Sequence, residues 1–166
     1  MYDFVTVLVF DDNTNMQIVS FAHFLESYGI ETVRKLPPHI TIDLYENLSS
    51  DVLISTIDCF IDEISSIPFR FIKLDNFDNE VLFLKPDNVE AFESVKSIFD
   101  TNLGDYSIKD NANRGIYNPH MTLVSSSDTT EAERILNEQF YPFESNASGL
   151  CVYSKNKQLV KRYDLK

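Results

Sequence analysis

Two stretches decide the fold: residues 38–45, PHITIDLY, and residues 119–124, PHMTLV. Each holds a proline, a histidine and, two residues after the histidine, a threonine, and each has the β-branched and aliphatic content of a strand. His39 and His120 are 81 residues apart. In a strand, residues two apart share a face and immediate neighbours point the opposite way. His39, Thr41 and Asp43 are therefore expected on one face. Ile40, Ile42 and Leu44 are expected on the other, packed against helices, and in the second stretch Met121 and Leu123 pack inward while His120 and Thr122 point out.

Working outward, the elements run in one order twice. The first half reads as a strand at 2–10, a helix at 14–28, the PHIT strand at 38–45, a helix at 51–65 and a strand at 69–74. The second half reads as a strand at 81–85, a helix at 89–103, the PHMT strand at 120–125, a helix at 130–140 and a strand at 150–153. A last strand at 158–163 lies outside the repeat. The helical stripes are Ile18, Phe21, Ala22, Leu25 and Tyr28 in the first helix, and Leu53, Ile57, Phe60, Ile61 and Ile64 in the second. The shared spacing places both histidines at corresponding positions, so a pseudo-twofold arrangement of two packed lobes would bring the motifs face to face.

At 166 residues the chain has the length of one domain and needs no linker. The division expected is a single domain over 1–166, with half-repeats at about 1–78 and 79–166. With 14 basic and 26 acidic residues the formal charge is −12, which repels long polyanions. Long nucleic acid is excluded as a partner unless a local basic patch overrides the mean; Arg34, Lys35, Lys85 and Arg114 are the candidates for one. Cys59 and Cys151 carry no disulfide spacing and read as small buried hydrophobes. The apolar start VTVLVF is short and bounded by aspartates, unlike a signal peptide or a membrane span. A soluble cytoplasmic protein and a monomer are the expectation.

The chemistry follows from the residue types. In-line cleavage of a phosphodiester takes a proton from the attacking oxygen and gives one to the departing oxygen, and histidine titrates near enough to neutrality to do either. Threonine hydroxyls suit the charge spreading over nonbridging oxygens. A two-histidine, one-carboxylate metal set using Asp43 is the competing reading, but neither motif has closely spaced ligands and threonine is a poor one. Neither a metal nor a cofactor is called for. His23, on a helix with Leu25 where a threonine would be needed, reads as solvated surface. Tyr45 and Tyr117 flank the motifs and are candidates to stack on a base, with core packing as the opposing reading. No Gly-rich phosphate loop or nucleophile elbow is present.

With its paired HxT motifs the sequence resembles the two-histidine phosphoesterase superfamily, which includes the 2′,5′ RNA ligase-like proteins and cyclic phosphodiesterases. The resemblance implies an α+β fold: one bilobal domain with a pseudo-twofold repeat, each lobe an antiparallel-rich sheet flanked by helices, and a central cleft carrying the two motifs. It implies His39 and His120 as the acid/base pair, and Thr41 and Thr122 as donors to the phosphate oxygens. Lys85, Arg114, Tyr45 and Tyr117 are carried as candidates for substrate binding. The expected substrate is a small nucleotide or short RNA end, with a 2′,3′-cyclic phosphate opened by water. The alternative is a non-catalytic module that binds the same ligands in the same cleft.

Overall fold

The computed structural model describes residues 1–108 and 116–166. The elements are β1 (Phe4–Phe10), α1 (Asp12–Glu26), β2 (His39–Tyr45), α2 (Ser50–Phe60), β3 (Ile67–Phe77), β4 (Val81–Pro86), α3 (Val89–Leu103), β5 (Met121–Ser125), α4 (Thr130–Asn137), β6 (Phe143–Ser154) and β7 (Leu159–Asp164). The order strand, helix, strand, helix, strand occurs twice, and corresponding elements start 76 to 82 residues apart. The fold is α+β, with one antiparallel seven-stranded sheet in the order β2-β1-β6-β3-β4-β5 and β7 added to β6.

Local chemistry sets the boundaries. The Asp11 carboxylate accepts from Thr14 N at 2.9 Å and opens α1, and the Ser49 hydroxyl accepts from Val52 N at 3.3 Å and opens α2. Between β3 and β4 the chain turns through Asp78 and Asn79, both with left-handed backbone (φ 51° and 58°), a conformation Asp and Asn tolerate better than most residues. That hairpin joins the two halves. The helix stripe ends earlier than the sequence suggests, since Tyr28 lies beyond α1 and is exposed. Cys59 is exposed on α2 and only Cys151 is buried, so the thiol at 59 corrects the sequence reading.

The four α-helices among the described residues pack on one face of the sheet over a single aromatic and aliphatic core. Leu8, Ile40, Ile42, Phe69, Phe71, Leu82, Leu84, Met121 and Leu123 meet Ile18, Leu25, Leu53, Ile57, Phe92, Phe99 and Leu136 there. Fully burying side chains of this size stabilises the fold by about 1.5 to 3 kcal/mol each. The other, open face carries a smaller cluster of Val5, Val7, Val9, Cys151 and Tyr153, with Tyr2, Leu36 and Leu44 packed over it. Among the described residues no helix is long and apolar enough to cross a membrane.

The motif strands β2 and β5 lie at opposite ends of the strand order. The sheet nevertheless curls until several of their Cα atoms come within 8 Å of one another. The segments leading into them cross over to close the joint. Val33 N, on the way into β2, donates to Leu123 O of β5 at 2.9 Å, and Ile108 N, on the way toward β5, donates to Leu44 O of β2 at 2.9 Å. Edge groups that would otherwise be left unpaired are satisfied by the opposite half.

Candidate active site

His39 and Thr41 stand opposite Val9 and Val7 of β1, and these stand opposite Gly149 and Cys151 of β6. Residues directly opposite in adjacent strands share a face, so His39 and Thr41 lie on the open face. Thr122 stands opposite Phe83 of β4, which faces Asp75 of β3. His120 immediately precedes β5, with its ring centroid 5.0 Å from that of Phe83 and 5.0 Å from that of Phe77, edge-on to the latter. The structure therefore brings the two HxT pairs to one side of the sheet, on strands that approach each other.

Each motif strand then breaks its alternation at the same place. β1 pairs Thr6 with Asp43 and Val7 with Thr41, leaving Ile42 as an extra residue; β4 pairs Leu82 with Val124 and Phe83 with Thr122, leaving Leu123. Both are β-bulges three residues after the histidine, and a bulge reverses which residues face inward. This corrects the expectation for Asp43, which leaves the face of His39 and Thr41 and turns to the helices, while Leu44 moves to the open face. The two-histidine, one-carboxylate set does not assemble. It also corrects Tyr45, which is fully buried in the helix-side core and lies nowhere a base could stack. Burial, with the Asp43 charge nearby, pushes its hydroxyl far above the usual phenol range.

The two imidazoles are held alike. His39 Nδ1 lies 2.7 Å from Pro37 O and His120 Nδ1 lies 2.7 Å from Asn118 O. A carbonyl oxygen only accepts, so Nδ1 carries the proton in both rings and Nε2 is left for chemistry. Burial pushes both below histidine's ordinary value. For His39 the Pro37 bond opposes that shift, and the charges of His120 and Lys157 add to it; for His120 the Asn118 bond opposes it and Lys85 adds to it.

The remaining candidates separate. The Lys85 ammonium donates to Asn118 Oδ1 at 2.7 Å, beside the carbonyl that holds His120. The Tyr117 ring packs on the core, and its hydroxyl donates to Thr41 O at 2.7 Å, so it braces β2 and is not free to stack. Burial pushes that hydroxyl's pKa well up. Arg34 is paired with Glu26 at 2.8 Å, Lys35 is exposed, and His23 is exposed on α1 as expected. Arg114 lies outside the described residues.

Two cations escaped the sequence reading. Lys157, in the β6–β7 turn, bonds the Tyr2 hydroxyl, sits 4.9 Å from the Tyr2 ring centroid and acts on His39. Arg162 of β7 lies across the open face at Gly149, where an added Cβ would come 3.0 Å from its guanidinium and 2.9 Å from Val9. Only glycine allows that approach. Neither cation is near a motif in sequence, so nothing local marks them.

The fold has counterparts among known proteins. The model of the 2′-5′ RNA ligase superfamily matches residues 10–159. No curated relative matches the sequence itself. Among solved structures the chain is similar to TT0787 of Thermus thermophilus (12% identity, TM-score 0.67, 98% of this chain and 97% of that one). It is likewise similar to E. coli LigT complexed with NADP+ (13%, TM-score 0.64, 99% and 98%) and to Kluyveromyces marxianus Usb1 with uridine monophosphate (12%, TM-score 0.52, 99% and 97%). At such identities the likeness is one of fold. The family match spans nearly the whole chain, and this protein belongs to the 2′-5′ RNA ligase superfamily of two-histidine phosphoesterases.

Proposed function

We propose that the chain is a metal-independent phosphoesterase that opens a nucleotide-type phosphodiester, a 2′,3′-cyclic phosphate or a related RNA-end diester, with His39 and His120 as its general acid and base. The observation that carries this reading is the matched pair of imidazoles. Both have Nδ1 tied to a main-chain carbonyl two residues back, and both stand on the open face of strands that meet across the joint.

One neutral imidazole takes a proton from the attacking water as its oxygen bonds to phosphorus, and the other, protonated, gives a proton to the departing ribose oxygen. The two rings end with their protonation exchanged, and solvent resets them. The Thr41 and Thr122 hydroxyls donate to the nonbridging oxygens, where charge accumulates. In the free protein both rings are biased toward the neutral form. The single negative charge of an arriving phosphodiester favours the protonated form of a neighbouring imidazole, so substrate binding itself charges the acid. Lys85, bonded to Asn118, and Lys157, bonded to Tyr2, offset the phosphate charge within an otherwise acidic protein.

Structures of similar fold with ATP, 3′-AMP, phosphate and uridine monophosphate support a nucleotide-sized ligand here. The test is a panel of 2′,3′-cyclic nucleotides and cyclic-ended oligonucleotides, incubated with and without exhaustive chelation. Turnover that survives the chelator and is lost in His39→Ala and in His120→Ala is the expected result. Ligands that bind in calorimetry but are never converted would assign the chain to the binding-module alternative.

A further inference from the structure

The bulge at Ile42 sends Asp43 into a polar cluster that lies behind the site. Its Oδ2 accepts from Lys96 Nζ of α3 at 2.7 Å, its two oxygens accept from Ser107 Oγ at 2.9 and 2.8 Å, and Oδ1 accepts from Leu44 N at 2.8 Å. Lys96 also bonds Asp100, one turn on. Burial disfavours the charge on Lys96, but the bonds to Asp100 and Asp43 prevail and raise its pKa. Every partner except Leu44 belongs to the second half.

The position has a counterpart that is solved differently. Displacement by the 81 residues that separate the histidines takes Asp43 to Val124, which follows the matching bulge and is buried in the apolar core. A bulge of this kind therefore needs no charge behind it. A buried ion pair is weak evidence for stability but a known device for fixing register between elements. Here the elements are the two halves. Lys96 and Ser107 hold β2 from the side of α3, Ser107 and Tyr45 form a bridge that extends the grip, and the Tyr117 hydroxyl holds Thr41 O from the other approach.

We propose that Asp43, Lys96 and Ser107 form an inter-half latch that sets the position of His39 and Thr41 relative to His120, making Asp43 and Lys96 positioning residues for the reaction. The latch acts on the site assigned above and so rests on that reading for its catalytic consequence, though not for its geometry. Misplacement of one imidazole by about 1 Å costs on the order of a hundredfold in rate. The apolar solution of the second half supplies the variant: Asp43→Val with Lys96→Met.

Two readouts decide it. In the ligand-free protein, NMR titration of His39 is compared with and without His120→Gln; removing the second imidazole is expected to move the His39 midpoint upward in the native background. In the latchless background that coupling is expected to shrink markedly, with kcat down about a hundredfold and KM little changed. Lys96→Arg alone, which keeps both the charge and its Asp43 partner, is expected to retain both. Unchanged coupling overturns the latch whatever happens to kcat. If the native protein opens no diester, the proposed function falls and the coupling alone judges the latch. Should the double variant not fold, Lys96→Met on the half-exposed face of α3 gives the same readouts, and failure of both to fold would make the cluster a folding element and overturn the proposal.

Discussion

The two HxT motifs hold their imidazoles alike and differ in almost everything around them. Each ring is tied by Nδ1 to the carbonyl two residues back, each threonine follows on the same face, and each strand bulges at the next residue. Around His39 the sheet offers small aliphatic residues, Val7 and Val9, with Lys157 nearby and a charged cluster behind. Around His120 it offers two phenyl rings, with Lys85 nearby and apolar core behind. The repeated strand-helix unit keeps the features that hold an imidazole on the open face. The packing that supports it is free to diverge, because any dense surround holds a ring in place.

If the chemistry is shared, His39→Ala and His120→Ala should each lower kcat/KM for a cyclic phosphate by about a hundredfold to ten-thousandfold, the range for a general acid or base. The double variant should be little worse than either single one, since the rings act as a unit. One variant retaining full activity would break the symmetry at its root. Thr41→Ala and Thr122→Ala should fall at the mild end of that range, costing about a hundredfold in kcat, measured by steady-state kinetics at saturating substrate.

The packing difference predicts unequal responses. Phe83→Ala should lower unfolding free energy by about 3 to 5 kcal/mol in urea titration. It should also raise the NMR titration midpoint of His120 toward the ordinary value, because it opens a buried ring to water, while His39 stays put. Tyr117→Phe removes one bond to Thr41 O and should cost about 1 kcal/mol.

The smallest effect is on stability against pH. Both folded histidines titrate below the unfolded value of 6.5. Between the unfolded and folded values the unfolded chain binds more protons, so thermal stability should fall as pH drops through that window and stay flat above it. His39→Gln with His120→Gln should flatten the fall.

The order of elements and the paired histidines were legible because they are written in local periodicity. Ile18, Phe21, Ala22 and Leu25 recur at helical spacing, and Ile40, Ile42, Met121 and Leu123 alternate with the motif residues. The bulges were not legible, since an extra residue in one strand is defined only by the partner strand it fails to match. Everything downstream of Ile42 inherited that error in parity, which is why Asp43 was expected on the open face and Leu44 on the helix side. The partners of Asp43 were hidden for a second reason: Lys96 is 53 residues away and Ser107 is 64. β6 is longer than its readable stretch at 150–153, because Glu144, Asn146 and Ser148 interrupt the apolar pattern of its first half. Lys157 and Arg162 come to the open face, beside Tyr2 and Gly149, because β7 folds back on β6.

The central claim is that two imidazoles from distant parts of the chain address one phosphorus atom. Its most direct test is a crystal structure of the protein with orthovanadate, which adopts the five-coordinate geometry of the reaction. Nε2 of His39 and Nε2 of His120, each about 2.6 to 3.2 Å from oxygens on opposite sides of a single vanadium, is the arrangement this account requires. Vanadate held by one ring alone, or seated away from both, would contradict it.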